Sequence, residues 1–599
     1  MIARIVFCHE RKTGMYLLYL TLKTPNALFA LGILLYALIL AFLCPLLKKK
    51  EKKLLTVILC LLPAHAALAH YVFYGNVEFG RFRFLYLESL LPLIFLLPGR
   101  SRKASAAKSV LAVVSVFAVC AVFLVASINK LTHNFTRDSF TESFTKTLDT
   151  LEREYCLNSW KKIDYDAMRK EYYPRVEEAE KNNDEGAYNA VITEIVYRHY
   201  DSHVSVYSTN EADNRDLFGN DYGLSMIELE DGSVIAVFVE PSPDEELRIC
   251  DGGSRLNALG IHDGTQILAW DGQEIHEALE QVECIYPLFQ FPVKSNEDRM
   301  RPIFLASKGG ESVKVTFLDD DGKEQTAELP MIGEDSQRIE FASLLYLGWL
   351  HEQRQNDAHM LNDKCGYLQV IAEEYDDLKE KLAVLRHGYF PELTDYYAEL
   401  IEGLKQQGME YLIIDIRGNG GGTDCCAGAL ASLFTDEKRY LVGFGYEDGT
   451  GYHTTEDMYL FPDGRNKDLP VAVLVNSLCM SAGDALAKYL GDCDNVTLMG
   501  LAASSGVNQN TGGRIHVTKN ICISYPTQLS LSEDHIPFID TDDTRENRIP
   551  LDVTIPMTKE TALTIFNYKN ALLHEIGELE TLPDPELDYA MNYLEKNSQ

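Results

Sequence analysis

Ser481 stands between a β-branched apolar run, Val471-Ala-Val-Leu-Val475, and a helical stretch from Ala482 to Leu490. The run reads as a buried strand. The serine hydroxyl is then at the strand's carboxyl end, where open α/β sheets bind ligands. The helix N-terminus beside it favours developing negative charge. Such a hydroxyl is either a nucleophile or a plain helix N-cap. A nucleophilic serine needs a base. His203, in Tyr200-Asp-Ser-His-Val-Ser-Val206, is one candidate, with Ser202 next to it able to orient the ring. A histidine entering a strand can equally be structural. The third piece is Tyr411-Leu-Ile-Ile-Asp-Ile-Arg-Gly-Asn-Gly-Gly-Gly422. Its glycines let backbone N–H groups point into open space, suiting an oxyanion, or they form an ordinary tight turn. The run lacks the Gly-Lys-Ser/Thr of a phosphate-binding loop, which argues against nucleotide binding.

These residues need elements to hold them. A strand at Cys365–Ile371, a helix from Tyr389 to Gln407 and the strand ending at Asp415 predict a crossover unit in a largely parallel layer. Further strands are expected at Val234–Val239, Gln266–Trp270, Val313–Phe317 and Val496–Gly500, and near Ile515 and Ile521. Residues 131–200 are helix-prone, with Phe140, Phe144, Leu148 and Leu151 at helical spacing and a second pattern from Tyr188 to Tyr197. An amphipathic helical region is expected over 559–597.

The 599 residues imply several domains. Charge is divided unevenly. Residues 1–130 hold 16 Lys+Arg against 4 Asp+Glu, leaving 39 and 85 for the remainder. So acidic a body argues against nucleic-acid binding, because phosphate contacts need Lys and Arg. The 13 cysteines form no spaced zinc or small-disulfide pattern and do not settle the redox compartment. No metal or cofactor is expected.

Four apolar stretches, about 25–47, 54–74, 84–98 and 107–128, precede residue 130. Crossing a bilayer core takes about 20 residues, which the first, second and fourth supply; the third is short and holds Glu88 and Pro92. Lys/Arg-rich loops follow the first and third stretches and predict a cytoplasmic side there. The N-terminus and everything after residue 130 would then be extracytoplasmic, with the lipid bilayer as partner of residues 1–130 in a multi-pass membrane protein.

The strand-glycine turn, Val475-Asn-Ser-Leu-Cys-Met-Ser-Ala-Gly-Asp484 and Glu546-Asn-Arg-Ile-Pro-Leu-Asp-Val553 together resemble the C-terminal processing peptidase family, over about residues 140–560. Leu259-Gly-Ile-His-Asp-Gly-Thr-Gln-Ile-Leu-Ala-Trp-Asp-Gly-Gln-Glu-Ile275 resembles a PDZ domain. One branch of the family carries a lysine base shortly after the nucleophile. Here Gly500-Leu-Ala-Ala-Ser-Ser-Gly-Val-Asn-Gln509 has none, and Lys488 lies about two turns along the helix from Ser481. The tricorn-protease-like branch uses a Ser-His pair and a later Glu, matched by Ser202, His203 and Glu546.

The resemblance implies an α/β (α+β) multidomain hydrolase. Its parts would be membrane helices over 1–130, a helical module over 131–210, a PDZ-like domain over 211–335, a serine peptidase core over 336–560 and a C-terminal helix over 561–599. Ser481 would be the nucleophile, His203 the base, Ser202 the residue holding the ring and Glu546 the end of the polar chain. Gly421 and Ala482 would supply the oxyanion hole, with a protein or peptide as substrate. Gly223, Leu224, Ser225 and Met226 would capture a peptide end, unless that module serves only for packing. Leu478, Cys479 and Met480 replace the family's usual small residues, and bulk there could narrow or silence the site. A catalytically inactive peptide-binding scaffold and a membrane sensor or transporter-like unit are therefore the competing readings.

Overall fold

The computed structural model describes residues 131–208, 219–239, 253–282, 294–333, 337–347, 354–375, 389–447, 451–506, 509–537, 549–566 and 582–597, with Cys284 and Ala383. The apolar stretches before residue 130, Glu88 among them, lie outside these. No helix among the described residues is long and apolar enough to cross a membrane. The chain divides into two compact units: residues up to Thr147 with Thr511–Tyr525, and Leu148–Asn510 with Pro526–Gln599. In the first, Leu131–Asn134 pairs in parallel with Gly513–His516, and Ser143 donates to the Val517 carbonyl at 2.8 Å.

The second unit is mixed α/β. It begins with helices that include α1 (Tyr165–Asn182) and α2 (Glu185–Tyr197). Each starts from an aspartate N-cap, Asp164 or Asp184, whose carboxylate accepts an N–H three residues on. An antiparallel sheet follows in the order β1 (Ser225–Glu228), β2 (Val234–Val237), β3 (Gln266–Trp270), β4 (Ser312–Leu318) and β5 (Glu324–Pro330). Helix α3 (Lys294–Leu305) packs on β1, and α4 (Gln337–Leu347) leads onward.

The central sheet explains the position of the serine. It contains β6 (Asp357–Met360), β7 (Cys365–Gln369), β8 (Tyr411–Asp415), β11 (Val471–Leu474), β12 (Val496–Gly500) and β13 (Val553–Thr554). Between them come α5 (Pro391–Lys405), α6 (Asp424–Ala431), the hairpin β9 (Arg439–Glu447) and β10 (Tyr452–Leu460), and α7 (Ala482–Gly491). Helix α8 (Pro585–Asn597) closes the described chain. The spatial order is β13-β12-β11-β8-β7-β6, parallel throughout except for β6 on β7.

Both faces of this sheet are covered, hence the unbroken apolar strands. Ile413, Ala472 and Leu474 enter one core with α4 and α8, whereas Leu412, Ile414, Val471 and Val473 enter the other with α5, α6 and α7. Complete burial of an isoleucine such as Ile413 or Ile414 contributes about 1.5–3 kcal/mol. In register, Asp415 lies beside Leu474, so the turn after β8 and the turn after β11 emerge side by side. The glycine run and Ser481 therefore meet at the carboxyl edge of neighbouring parallel strands.

Candidate active site

The turn after β11 is tied down before it reaches the serine. Asn476 Oδ1 accepts the N–H of Gly418 at 2.9 Å and of Leu478 at 3.1 Å, while its Nδ2 donates to Leu347 O at 2.9 Å. The buried Cys479 thiol donates to Ile416 O at 2.8 Å, and burial pushes its pKa up. Met480 N–H donates to Asn419 O at 3.0 Å. Leu478 and Met480 pack against the hydrophobic core, so their bulk is directed there.

Ser481 then adopts φ 59°, ψ −127°, a backbone region that non-glycine residues seldom occupy. Holding a side chain there costs on the order of 1–3 kcal/mol. The residue occupies the N-cap position of α7, yet its side chain caps nothing and has no hydrogen-bond partner among the described residues. Capping therefore does not account for the serine. A strained backbone presenting an unengaged hydroxyl between a buried strand and a helix is the geometry of a nucleophile turn.

The glycine turn presses on it. A Cβ on Gly421 would fall 2.5 Å from Ser481 Cβ and 2.7 Å from Met480 O, and Gly421 has φ 92°. Gly421→Ala is expected to displace the nucleophile, lowering kcat at least about 100-fold and costing about 1–3 kcal/mol of stability. Steady-state kinetics together with a urea-unfolding midpoint check both.

The oxyanion pair needs correction. Gly421 N–H already donates to Asn419 Oδ1 at 2.8 Å, because the Gly-Asn-Gly sequence forms an Asx turn here. Ala482 N–H is the first amide of α7, and among the described residues it has no acceptor. Ala482 is thus open to an oxyanion and Gly421 is not, unless its turn releases it.

His203 belongs to the same compact unit as Ser481. Asp201 organises it: one carboxylate oxygen accepts His203 N–H and the other accepts Tyr155 OH, both at 2.8 Å. Burial lowers the imidazole pKa, and the Asp201 charge opposes this. A depressed pKa keeps the ring neutral near pH 7, the form a general base requires. Its Nδ1 is buried without a partner among the described residues. Ser202 Oγ is likewise unpartnered, so Ser202 does not hold the ring as expected. No hydrogen bond joins His203 to Ser481. Glu546 lies outside the described residues. Lys488 is occupied by Asp492 at 3.1 Å, consistent with its reading as no base.

The expected peptide-capture segment is closed. Leu224, Ser225 and Met226 are buried, α3 packs on β1, and Gly223 N–H donates to Asp221 Oδ1 at 2.7 Å. Arg338, fully buried, holds the same oxygen at 3.2 Å. The backbone that would receive a peptide carboxylate is taken by the chain's own.

Several residues at the site carried no role in the sequence reading. Asn419 links the two turns, and Glu373, after β7, binds Asn419 Nδ2 through Oε1 at 2.7 Å. Arg417 is buried among Asp415 (2.6 Å), Asp584 (2.7 Å) and Glu586 (3.0 Å), which fastens the start of α8 beneath the site. Charges within an apolar strand end were the available signal for Arg417. Glu373 gave none. Among the described residues no cluster of metal-ligating side chains occurs.

Residues 381–544 match peptidase family S41. The matched stretch contains the glycine turn, α6, the turn bearing Ser481 and α7. The carboxy-terminal processing protease CtpA of Bacillus subtilis (strain 168) is 31% identical over 109 residues, 18% of this chain and 22% of that protein. The match thus spans about a fifth of that relative. Among solved structures, mature CPAF complexed with lactacystin is 13% identical, with TM-score 0.44, over 74% of this chain and 97% of that one. The photosystem II D1 C-terminal processing protease is 15% identical, with TM-score 0.29, over 72% and 98%. The S41 segment does not include His203.

Proposed function

We propose that the chain is a serine endopeptidase of the C-terminal processing type, acting through Ser481 with His203 as general base. The single observation that carries this is Ser481 itself: a strained φ, a hydroxyl with no hydrogen-bond partner among the described residues, and a glycine turn packed against its Cβ. In the reaction the Ser481 oxygen bonds to the scissile carbonyl carbon while the imidazole takes its proton. That proton passes to the leaving amine as the C–N bond breaks, and water then releases the acyl group by the same route. The Ala482 amide stabilises the oxyanion, a contribution of roughly 3 kcal/mol per well-aimed donor. Substrate binding has to bring His203 and Ser481 together, as catalytic hydrogen bonds commonly tighten only in the complex.

The antiparallel β1–β5 sheet with α3 serves as a PDZ-like module, and residues 1–130 anchor the chain in a membrane with the peptidase outside.

Labelling of the full-length protein with a fluorophosphonate probe tests the assignment. Ser481 should be modified, His203→Ala should slow labelling at least about 100-fold, and the wild-type rate should fall only at a pH below the ordinary histidine range, where the imidazole, its pKa lowered by burial, gains its proton. No labelling of Ser481 would favour the second reading, a peptide-binding scaffold without activity. The absent Ser481–His203 hydrogen bond is the observation on its side.

A further inference from the structure

We propose that Glu373 is a positioning residue for the reaction, its side chain and backbone together holding the Gly420–Gly422 turn, through Asn419, against the Ser481 nucleophile. The inference rests on the reading of Ser481 as nucleophile.

The connections run in one direction. Glu373 N–H donates to Gly421 O at 3.2 Å, and Thr423 N–H donates to Glu373 O at 2.9 Å, so the residue pairs with the turn as an added strand would. Its Oε1 accepts from Asn419 Nδ2 at 2.7 Å. Asn419 in turn receives Gly421 N–H on its side chain at 2.8 Å and Met480 N–H on its carbonyl at 3.0 Å. A Cβ on Gly483 would meet Asn419 O at 2.7 Å, so the first turn of α7 is seated on the same asparagine. Two links between the turns that frame Ser481, Met480 N–H to Asn419 O and the seat of Gly483 on Asn419, thus run through the residue that Glu373 holds.

The surroundings decide which form of Glu373 does this. It is 2% exposed, and Oε2 is buried with no hydrogen-bond partner among the described residues. Two further carboxylates face it, Asp424 at the start of α6 and Asp484 in the first turn of α7, and Tyr397 approaches from α5. Burial first, eased by the Asn419 hydrogen bond and raised again by the two aspartates, pushes its pKa up to about 8. At pH 7 the carboxyl is mostly neutral, and its carbonyl oxygen accepts from Asn419. Ionisation above about pH 8 puts a third charge beside Asp424 and Asp484 and loosens the turn that faces Ser481.

Two substitutions in the full-length protein separate this role from mere packing. Glu373→Gln keeps the acceptor and the shape but cannot ionise. It should hold kcat within about threefold at pH 7 and abolish the alkaline descent, which in wild type approaches tenfold per pH unit above about pH 8. Glu373→Ala should lower kcat at least about tenfold with KM little changed, because the turn acts on the nucleophile rather than on substrate binding. An alkaline limb in the glutamine variant like that of wild type, or wild-type kcat in the alanine variant, overturns the proposal.

A second measurement does not depend on catalysis. The folded pKa exceeds the unfolded one, so this group's stabilisation is complete below about 4.5 and is lost as pH rises towards 8. The melting temperature of Glu373→Gln should therefore rise relative to wild type across that window. A difference constant with pH overturns the proposal even if no substrate is ever cleaved. A pH-dependent difference with no fluorophosphonate labelling of Ser481 would instead leave Glu373 as described and remove the peptidase reading.

Discussion

Ser481→Ala is expected to lower hydrolysis of an unfolded protein substrate by about 10⁵–10⁶-fold while the protein remains folded. In the proposed reaction the hydroxyl forms the acyl bond, and no other side chain in the turn can replace it. Cys479 is two residues away, but its thiol is buried against Ile416 O and kept protonated by burial. Alanine keeps a Cβ at φ 59°, so the strain of the turn is retained and stability should change by less than about 0.5 kcal/mol. Glycine at the same position relieves that strain. Ser481→Gly should be equally inactive yet more stable by about 1 kcal/mol or more. An inactive variant more stable than wild type is the signature of a residue strained for function. Substrate cleavage measured alongside urea unfolding decides it. Residual activity within about tenfold of wild type in Ser481→Ala would place the chemistry elsewhere.

Arg417→Met is expected to be the most destabilising single change near the site, by about 3–5 kcal/mol. The guanidinium is 2% exposed and bonds to Asp415, Asp584 and Glu586, while Tyr367 OH donates to Asp415 at 2.9 Å and Glu586 also accepts Leu501 N–H at 2.9 Å. Removing the cation leaves three carboxylates crowded in a dry site. They would then hold protons more tightly in the folded than in the unfolded chain. The penalty is present in full at pH 8 and shrinks as pH falls towards the unfolded carboxylate range near 4. Wild type already shows the competition, since burial raises the Glu586 pKa and Arg417 opposes it. Urea-unfolding midpoints of variant and wild type at pH 8 and pH 5 should therefore differ more at the higher pH. Equal losses at both would mean that lost packing, not stranded charge, explains the cost.

Much of the central layer was readable from local chemistry. Val471–Val475 and Tyr411–Asp415 are continuous β-branched or aliphatic runs, and a strand covered on both faces admits little else. Ala482–Gly491 is helical because alanines and leucines follow a turn. The choice of Ser481 as candidate hydroxyl also belonged to the sequence, since a serine at a strand-to-helix turn beside a triple-glycine turn is a local pattern. The boundaries of the last helices were less so. Lys559–Ile565 and Pro585–Asn597 are separate helices where one amphipathic pattern was read, because Pro583 and Pro585 punctuate it without breaking the apolar spacing.

The sequence by itself therefore determined the strands, the helix that follows Ser481 and which hydroxyl is presented, because period and turn chemistry are encoded within a few residues of each other. Only the tertiary structure decided that Gly421 N–H is spent on Asn419, that Leu224–Met226 is covered by α3, that His203 stands without a hydrogen bond to Ser481, and that Glu373 and Arg417 lie beneath the turns. Each of these is a contact between residues far apart in the chain. Whether a polar group is open or engaged depends on which distant atoms burial brings within about 3 Å of it, and no local pattern carries that information.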